Sequence, residues 1–380
     1  MTIEDSSKLY GPEDSSFDFA GNFDFGTLTS QRLVQFEDGL VQSMTEWEKI
    51  QAWASGLKFF DITETPNLGT VSGLRRKHVY PEISSADEKV TKVIKTLSTD
   101  LPSRILEEFT SFYTRYYTSK TGHDSALWLA SKIAEVTEAN APKGLRERIT
   151  QTTFPHSWGQ QSIIVRINGS SPTDDGVIIM SSHIDSANFV PWMRAPGADD
   201  DGSGTVTILE AYRALLAADF HPLENVEFHW YSAEEAGLLG SQAVAHAYEV
   251  QGVNVLAQIQ FDMTAWIMKG TREEFGIIKD QWIDESLTEF NKKLVETYLD
   301  IPWVETTCGY ACSDHAPWNK AKYPSSFVAE GTFENWNRAN AHRAYDAIDI
   351  SDEFSWSHLL QFSKMAVAWA IELGGWETST

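Results

Sequence analysis

Only two cysteines, Cys308 and Cys312, occur in 380 residues, so a disulfide framework cannot be what holds this chain together. Their spacing leaves a local bridge possible but favours a pair of buried thiols, since a four-residue loop is tight. Uninterrupted apolar runs of about 18 residues are also missing, which excludes a membrane-spanning helix. The opening MTIEDSSKLYGPEDSS has neither a basic region nor an apolar stretch, so no secretion signal is visible in it. Basic residues are scarce: 30 Lys and Arg stand against 54 Asp and Glu, a net charge of -24. With no local basic patch, that balance repels phosphate backbones and anionic lipid and excludes nucleic acid and membrane surfaces as partners. No internal repeat occurs. What the chain does have is 42% hydrophobic residues and 14 tryptophans, enough for a sizeable globular core.

Residues 1–77 differ from the rest. Acidic residues outnumber basic ones, and the stretch to Ser30 mixes Ser, Gly, Asp and Phe without sustained periodicity, which reads as an acidic, loosely ordered arm. Within it the pattern predicts one amphipathic helix near Thr45 to Gly56. From about residue 85 three helical segments precede the first strand: SADEKVTKVIKTLS, ILEEFTSFYTRYY and SALWLASKIAEVTEA. Apolar runs then alternate with helices. QSIIVRI, GVIIMSSH, NVEFHWYS, VLAQIQFD, EFGIIK and SSFVAEG read as strands, with helices over Gly202–Ala218, Glu235–Val250, Ile283–Leu299 and Asp352–Leu373. The fold class expected is α/β, a mixed and largely parallel central sheet with helices on both faces over residues 78–380.

Residues of metal-ligand type stand where several of these strands stop. They are His183 in SSHIDS, Asp200 in GADDDGSG, Glu235 in SAEEAGLLGS, Asp262 in QFDM and His342 in NAHRAYD. Imidazole nitrogen and carboxylate oxygen suit zinc, and one shared carboxylate lets two ions sit side by side. Two dications against three carboxylates and a hydroxide form a neutral cluster, which makes burial tolerable. In sheets of this kind ligands bind at the carboxyl ends of the strands. Together the five residues read as a two-zinc hydrolase.

Each motif alone has a plainer reading. An HxD such as His183–Asp185 is commonly a loop pair, although Asp185 could orient a ligand imidazole. GADDDGSG could cap a helix, but it lacks the spaced ligands of a calcium loop. Glu234 and Glu235 could merely complement a helix dipole. Asp262 ends an apolar strand, where a carboxylate needs a cation or hydrogen bonds. His342 competes with the Ser313-Asp314-His315 segment, and spacing does not choose between them. Asn168-Gly169-Ser170 is a glycosylation acceptor triplet of a kind that arises often by chance.

Taken together, SSHIDS, PGADDDGSG, WYSAEEAGLLGS, QFDMT and CGYACSDHAPW resemble the fungal and bacterial dizinc leucyl aminopeptidases of metallopeptidase family twenty-eight. The similarity runs from about Phe59 to the last helix and includes FTSFYTRYY and HSWGQQSIIVRI. The resemblance implies two zinc ions, one on His183, Asp200 and Asp262 and the other on Asp200, Glu235 and His342. Glu234 is then the general base, Tyr310 an oxyanion donor, and Asp185, Asp201 and Asp346 support the ligands. It also implies an apolar pocket of Met263, Ile278, Phe333 and Trp336, made roomier by Ala329. A cis Asp200–Asp201 peptide and a Cys308–Cys312 disulfide follow from the same source, as do residues 1–77 as a pro-segment, an extracellular location and glycosylation at Asn168. A monomer acting on peptides with a free N-terminus and a leucine-like first residue is the activity implied. Two other readings remain on this fold: a glutaminyl cyclase needing one zinc, and a binding domain without catalysis.

Overall fold

The computed structural model describes residues 22–71, 78–171 and 176–377. Its centre is an eight-stranded sheet of β4 (Ile149–Phe154), β5 (Ser162–Ile167), β6 (Gly176–His183), β7 (Asn225–Tyr231), β8 (Asn254–Phe261), β9 (Phe275–Ile278), β10 (Trp303–Thr306) and β11 (Ser325–Ala329). The order is β10-β9-β11-β8-β6-β7-β5-β4. β11, β8, β6 and β7 form a parallel centre, flanked by the antiparallel β4–β5 hairpin and by β9, which runs antiparallel to β11. All eight residues of β6 are buried. That is the signature of a strand covered on both faces: Ile178 and Met180 join one apolar cluster, while Val177 and Ile179 join another.

The helices that provide this cover are α2 (Glu88–Ile94), α3 (Asp100–Phe109), α4 (Lys120–Asn140), α5 (Lys143–Arg146), α6 (Gly202–Ala217), α7 (Leu239–Gln251), α8 (Glu285–Tyr298), α9 (His315–Lys320) and α10 (Trp356–Gly374). α6 is buried almost all round because it lies between the sheet, α3, α4 and α10. Its entry needs glycine: a Cβ on Gly204 would stand 2.2 Å from the Phe261 carbonyl oxygen. β4 and β10 are two strands of this sheet that the sequence pattern did not predict. Both are edge strands with partly exposed faces and weak apolar runs.

Three expectations change. The helix placed from Glu235 begins only at Leu239, because Ala233, Gly237 and Leu238 take positive φ and turn the chain. The helix read from ILEEFTSFYTRYY starts earlier, at Asp100, and stops at Phe109. Beyond it the backbone pairs with a distant loop instead, Ala195 N donating to Tyr113 O and Arg115 N to Ser186 Oγ. The arm, read as loosely ordered, has regular structure over its described part. β1 (Gln31–Phe36), β2 (Val41–Thr45) and β3 (Phe59–Asp61) form an antiparallel sheet in the order β2-β1-β3, with α1 (Glu46–Ala54) between β2 and β3. Thr45 and Glu48 close a capping box at the start of α1. Two of the arm's acidic side chains, Glu46 and Asp61, are buried and paired with cations. Lys49 Nζ lies 2.8 Å from Asp61 and 2.9 Å from Glu46, and Arg32 Nε lies 2.7 Å from Glu46. Lys49 also donates to the Ala236 carbonyl, which joins the arm to the loop after β7.

Candidate active site

β6, β7 and β8 run parallel, with His183 opposite Tyr231 and Ser181 opposite Gln260, so they end at one edge. The residues that follow them converge there. His183 Nε2 lies 3.2 Å from Asp200 Oδ1 and 3.7 Å from Asp262 Oδ1. His342 Nε2 lies 3.0 Å from Asp200 Oδ2 and 3.0 Å from Glu235 Oε2. The donor atoms thus form two triads, His183–Asp200–Asp262 and Asp200–Glu235–His342, each with its ligand atoms within 4.8 Å of one another. Asp200 belongs to both, one oxygen toward each.

Polar support fixes this arrangement. The Asp185 carboxylate accepts the backbone N–H of Glu234 at 3.0 Å and of Glu235 at 3.1 Å, which orients the turn that replaces the expected helix start. Asp201 accepts from His183 N, Gly204 N and Met263 N and so ties the ends of β6 and β8 to α6. Asp346 accepts from Asp199 N and Asp200 N, both at 3.0 Å. Ser313 Oγ donates to Asp262 Oδ2 at 2.5 Å. The Asp200–Asp201 peptide is cis.

The donor set fits a metal on its own evidence. His183 Nε2 and Glu235 Oε1 are buried and have no hydrogen-bond partner, a costly condition that a cation would relieve. Burial disfavours the charged form of the His342 ring, yet Glu235 and Asp200 outweigh it and push His342 up to about 10. At His183 burial is likewise overcome, by the negative charge of Asp262 and the adjacent carboxylates of Asp185 and Asp200. A dication in place of those protons would satisfy the same carboxylates.

Glu234 lines the cavity beside the triads. Burial raises its proton affinity well above the carboxylate norm; His183 opposes this, and Asp314, Glu235 and Asp262 add to it. The cavity measures about 640 Å³, and Met263, Tyr310, Phe333 and Trp336 line it together with the Cys308–Cys312 disulfide. Ile278 and Ala329 stand behind that wall in the same apolar cluster. Burial and the negative charge of Glu234 raise the Tyr310 phenol far above its usual value, so it keeps its proton and can donate.

The competing segment does not join the triads. His315 is buried and stacked on Phe327 with both ring nitrogens unpartnered, and burial pushes it down to about 3. Asp314 accepts from Ser241 Oγ, and burial raises it to about 8. Asn168 is half-buried after β5, its Nδ2 donating to the Arg148 carbonyl.

Several residues at the site escaped the sequence reading. Asp199, Glu330 and Asn337 form a buried cluster behind Asp200, Asn337 Nδ2 donating to Asp199 Oδ2 at 3.1 Å. Trp53 and Lys58 come from the arm: the Trp53 ring lies 4.7 Å from the His342 ring, and Lys58 Nζ sits 4.1 Å from the centre of the Tyr310 ring. Arg338 lines the same cavity. Nothing local marks these residues. Arg115, which donates to the Ile184 and Gly197 carbonyls beside the site, also escaped it, and an arginine set in the aromatic run FTSFYTRYY is the signal that could have found it.

An α/β sheet with hard nitrogen and oxygen donors gathered at its carboxyl edge, beside a cavity, places the protein among the metal-dependent hydrolases. The sequence narrows the class. Residues 162–370 match the family model described as Peptidase family M28, and the chain belongs to that family. It is 44% identical over 354 residues to a protein named Leucine aminopeptidase 1 from Penicillium rubens, covering 90% of this chain and 89% of the relative. It is 40% identical over 357 residues to one of the same name from Fusarium vanettenii, covering 91% of this chain and 88% of the relative. Among solved structures, the LapA aminopeptidase of Legionella pneumophila superposes with a TM-score of 0.77 at 29% identity, covering 92% of this chain and 99% of that one.

Proposed function

We propose that the protein is a two-zinc aminopeptidase that hydrolyses the first peptide bond of substrates with a free N-terminus and a leucine-like first residue. The sharing of Asp200 between two triads supports this most directly. Zinc bound there would supply an acidified water and polarise the scissile carbonyl. His183, Asp200 and Asp262 would hold one ion, and Asp200, Glu235 and His342 the other.

The chain's own residues carry the proton traffic. Glu234 accepts a proton from the attacking water and delivers it to the leaving amine, a role for which its raised proton affinity suits it. The protonated Tyr310 donates a hydrogen bond to the oxyanion. Carboxylates around the triads attract the substrate's α-ammonium, while Met263, Phe333 and Trp336 accept an apolar side chain. A glutaminyl cyclase would need one metal, and the second triad then has no task. Leucine p-nitroanilide should be hydrolysed and its N-acetyl form should resist. Equal cleavage of both would refute exopeptidase action while leaving hydrolysis in place.

Residues 1–77 act, on this reading, as a pro-segment for the catalytic domain at 78–380. Trp53, Leu57, Lys58 and Phe59 line the substrate cavity, and Lys58 places an ammonium among carboxylates suited to an α-amine. An occluded fraction lowers apparent activity in proportion, so proteolytic removal of the arm should raise kcat/KM roughly tenfold or more. Unchanged activity after removal would discard that role. The disulfide accords with function in an oxidising, extracellular setting.

A further inference from the structure

Arg115 is fully buried, and its guanidinium reaches no carboxylate within ion-pair distance among the described residues. Its hydrogen bonds go to backbone carbonyls instead. Nε donates to Ile184 O at 2.8 Å, Nη2 to Gly197 O at 2.9 Å, and Nη1 to Pro196 O. The Phe109 ring covers one face, 4.0 Å from Cζ. The carbonyls it ties belong to the two loops that matter at the site: Ile184 precedes Asp185, and Pro196 and Gly197 precede Asp199, Asp200 and Asp201. Packing is tight, since a Cβ on Gly197 would stand 2.8 Å from Nη2.

A buried cation with only neutral partners is costly unless charge balances it from further away. Burial draws the Arg115 guanidinium down to about 10, and the negative charges of Asp346, Asp185, Asp201 and Asp200 work against that loss. Three of them are the carboxylates whose hydrogen bonds orient the ligand loops, and the fourth is the residue both triads share. The dependence runs both ways. Those carboxylates repel each other, and this guanidinium, bonded to the carbonyls of Ile184 and Gly197 in their loops, is a positive charge that remains at neutral pH.

We propose that Arg115 is a positioning residue that serves as a permanent counter-charge for Asp185, Asp200, Asp201 and Asp346, holding the ligand loops assembled before metal enters. It touches neither ligand atoms nor substrate and acts through these carboxylates. The inference rests on the two-metal reading. That reading is checked separately, because a native protein whose unfolding midpoint does not respond to zinc would fail it before any variant is compared.

The experiment measures thermal unfolding midpoints of the full chain, zinc-loaded and chelator-treated, for the native protein, Arg115→Met and Arg115→Lys. Methionine keeps the packing on Phe109 and loses the charge. Lysine keeps the charge and loses the fork. For Arg115→Met the gap between loaded and chelated midpoints should widen at least about twofold, because metal then supplies the missing positive charge. For Arg115→Lys both midpoints should fall with the gap close to the native one. Equal drops in both states of the methionine variant would overturn the proposal and leave Arg115 a mechanical tie. If Arg115→Met does not fold even with zinc, the lysine variant decides: a native gap supports the counter-charge, and a widened gap overturns it.

Discussion

Glu234→Gln should lower kcat on leucine p-nitroanilide by about 10³-fold, within the range expected when a positioned general base is lost. The substitution keeps side-chain volume and the backbone N–H that Asp185 holds at 3.0 Å, so the turn carrying Glu235 should stay in place. Glu234 lies outside both triads, and metal content should therefore match that of the native protein. What disappears is a carboxylate whose proton affinity burial has raised well above the carboxylate norm. Full activity in this variant would refute the base assignment. Loss of a metal with activity would instead make Glu234 a ligand.

Asp200→Ala should abolish turnover together with both metals, whereas Asp262→Ala or Glu235→Ala should each weaken one. The asymmetry follows from geometry. Asp200 Oδ1 faces His183 at 3.2 Å and Oδ2 faces His342 at 3.0 Å, so each triad loses a ligand when this side chain goes. Asp262 serves only the first triad and Glu235 only the second. If two ions are held there, Asp200→Ala would also remove the carboxylate that offsets their repulsion. Retention of one tightly held metal by Asp200→Ala would show that the triads do not depend on a shared ligand.

Much of the parallel centre was legible because burial on both faces writes itself as continuous apolar runs. The run GVIIMSSH coincides with β6, and His183 stands at its end. The helix opened by the DDDGSG element began where expected, at Gly202, and Gly204 in its first turn is the glycine needed beside the Phe261 carbonyl. The cis peptide and the disulfide, which family resemblance implied, are both present. Other features depend on contacts between distant segments and leave no local trace. Glu234 and Glu235 looked like a first helical turn until Asp185, fifty residues before Glu235, was seen to take their amides. FTSFYTRYY has helical periodicity throughout, yet its second half pairs with the loop around Ala195 and turns Arg115 inward. The arm's acidity suggested loose order because composition does not reveal that Lys49 and Arg32 meet Glu46 and Asp61. The same limit hid Trp53 and Lys58, which reach the cavity only through the fold of the arm.

The most direct test is elemental analysis of purified, active protein, coupled to chelation and metal restoration. Two zinc ions per chain, turnover lost on chelation and regained with added zinc would be the expected result. Active protein holding no transition metal, with turnover indifferent to chelator, would contradict the account at its root.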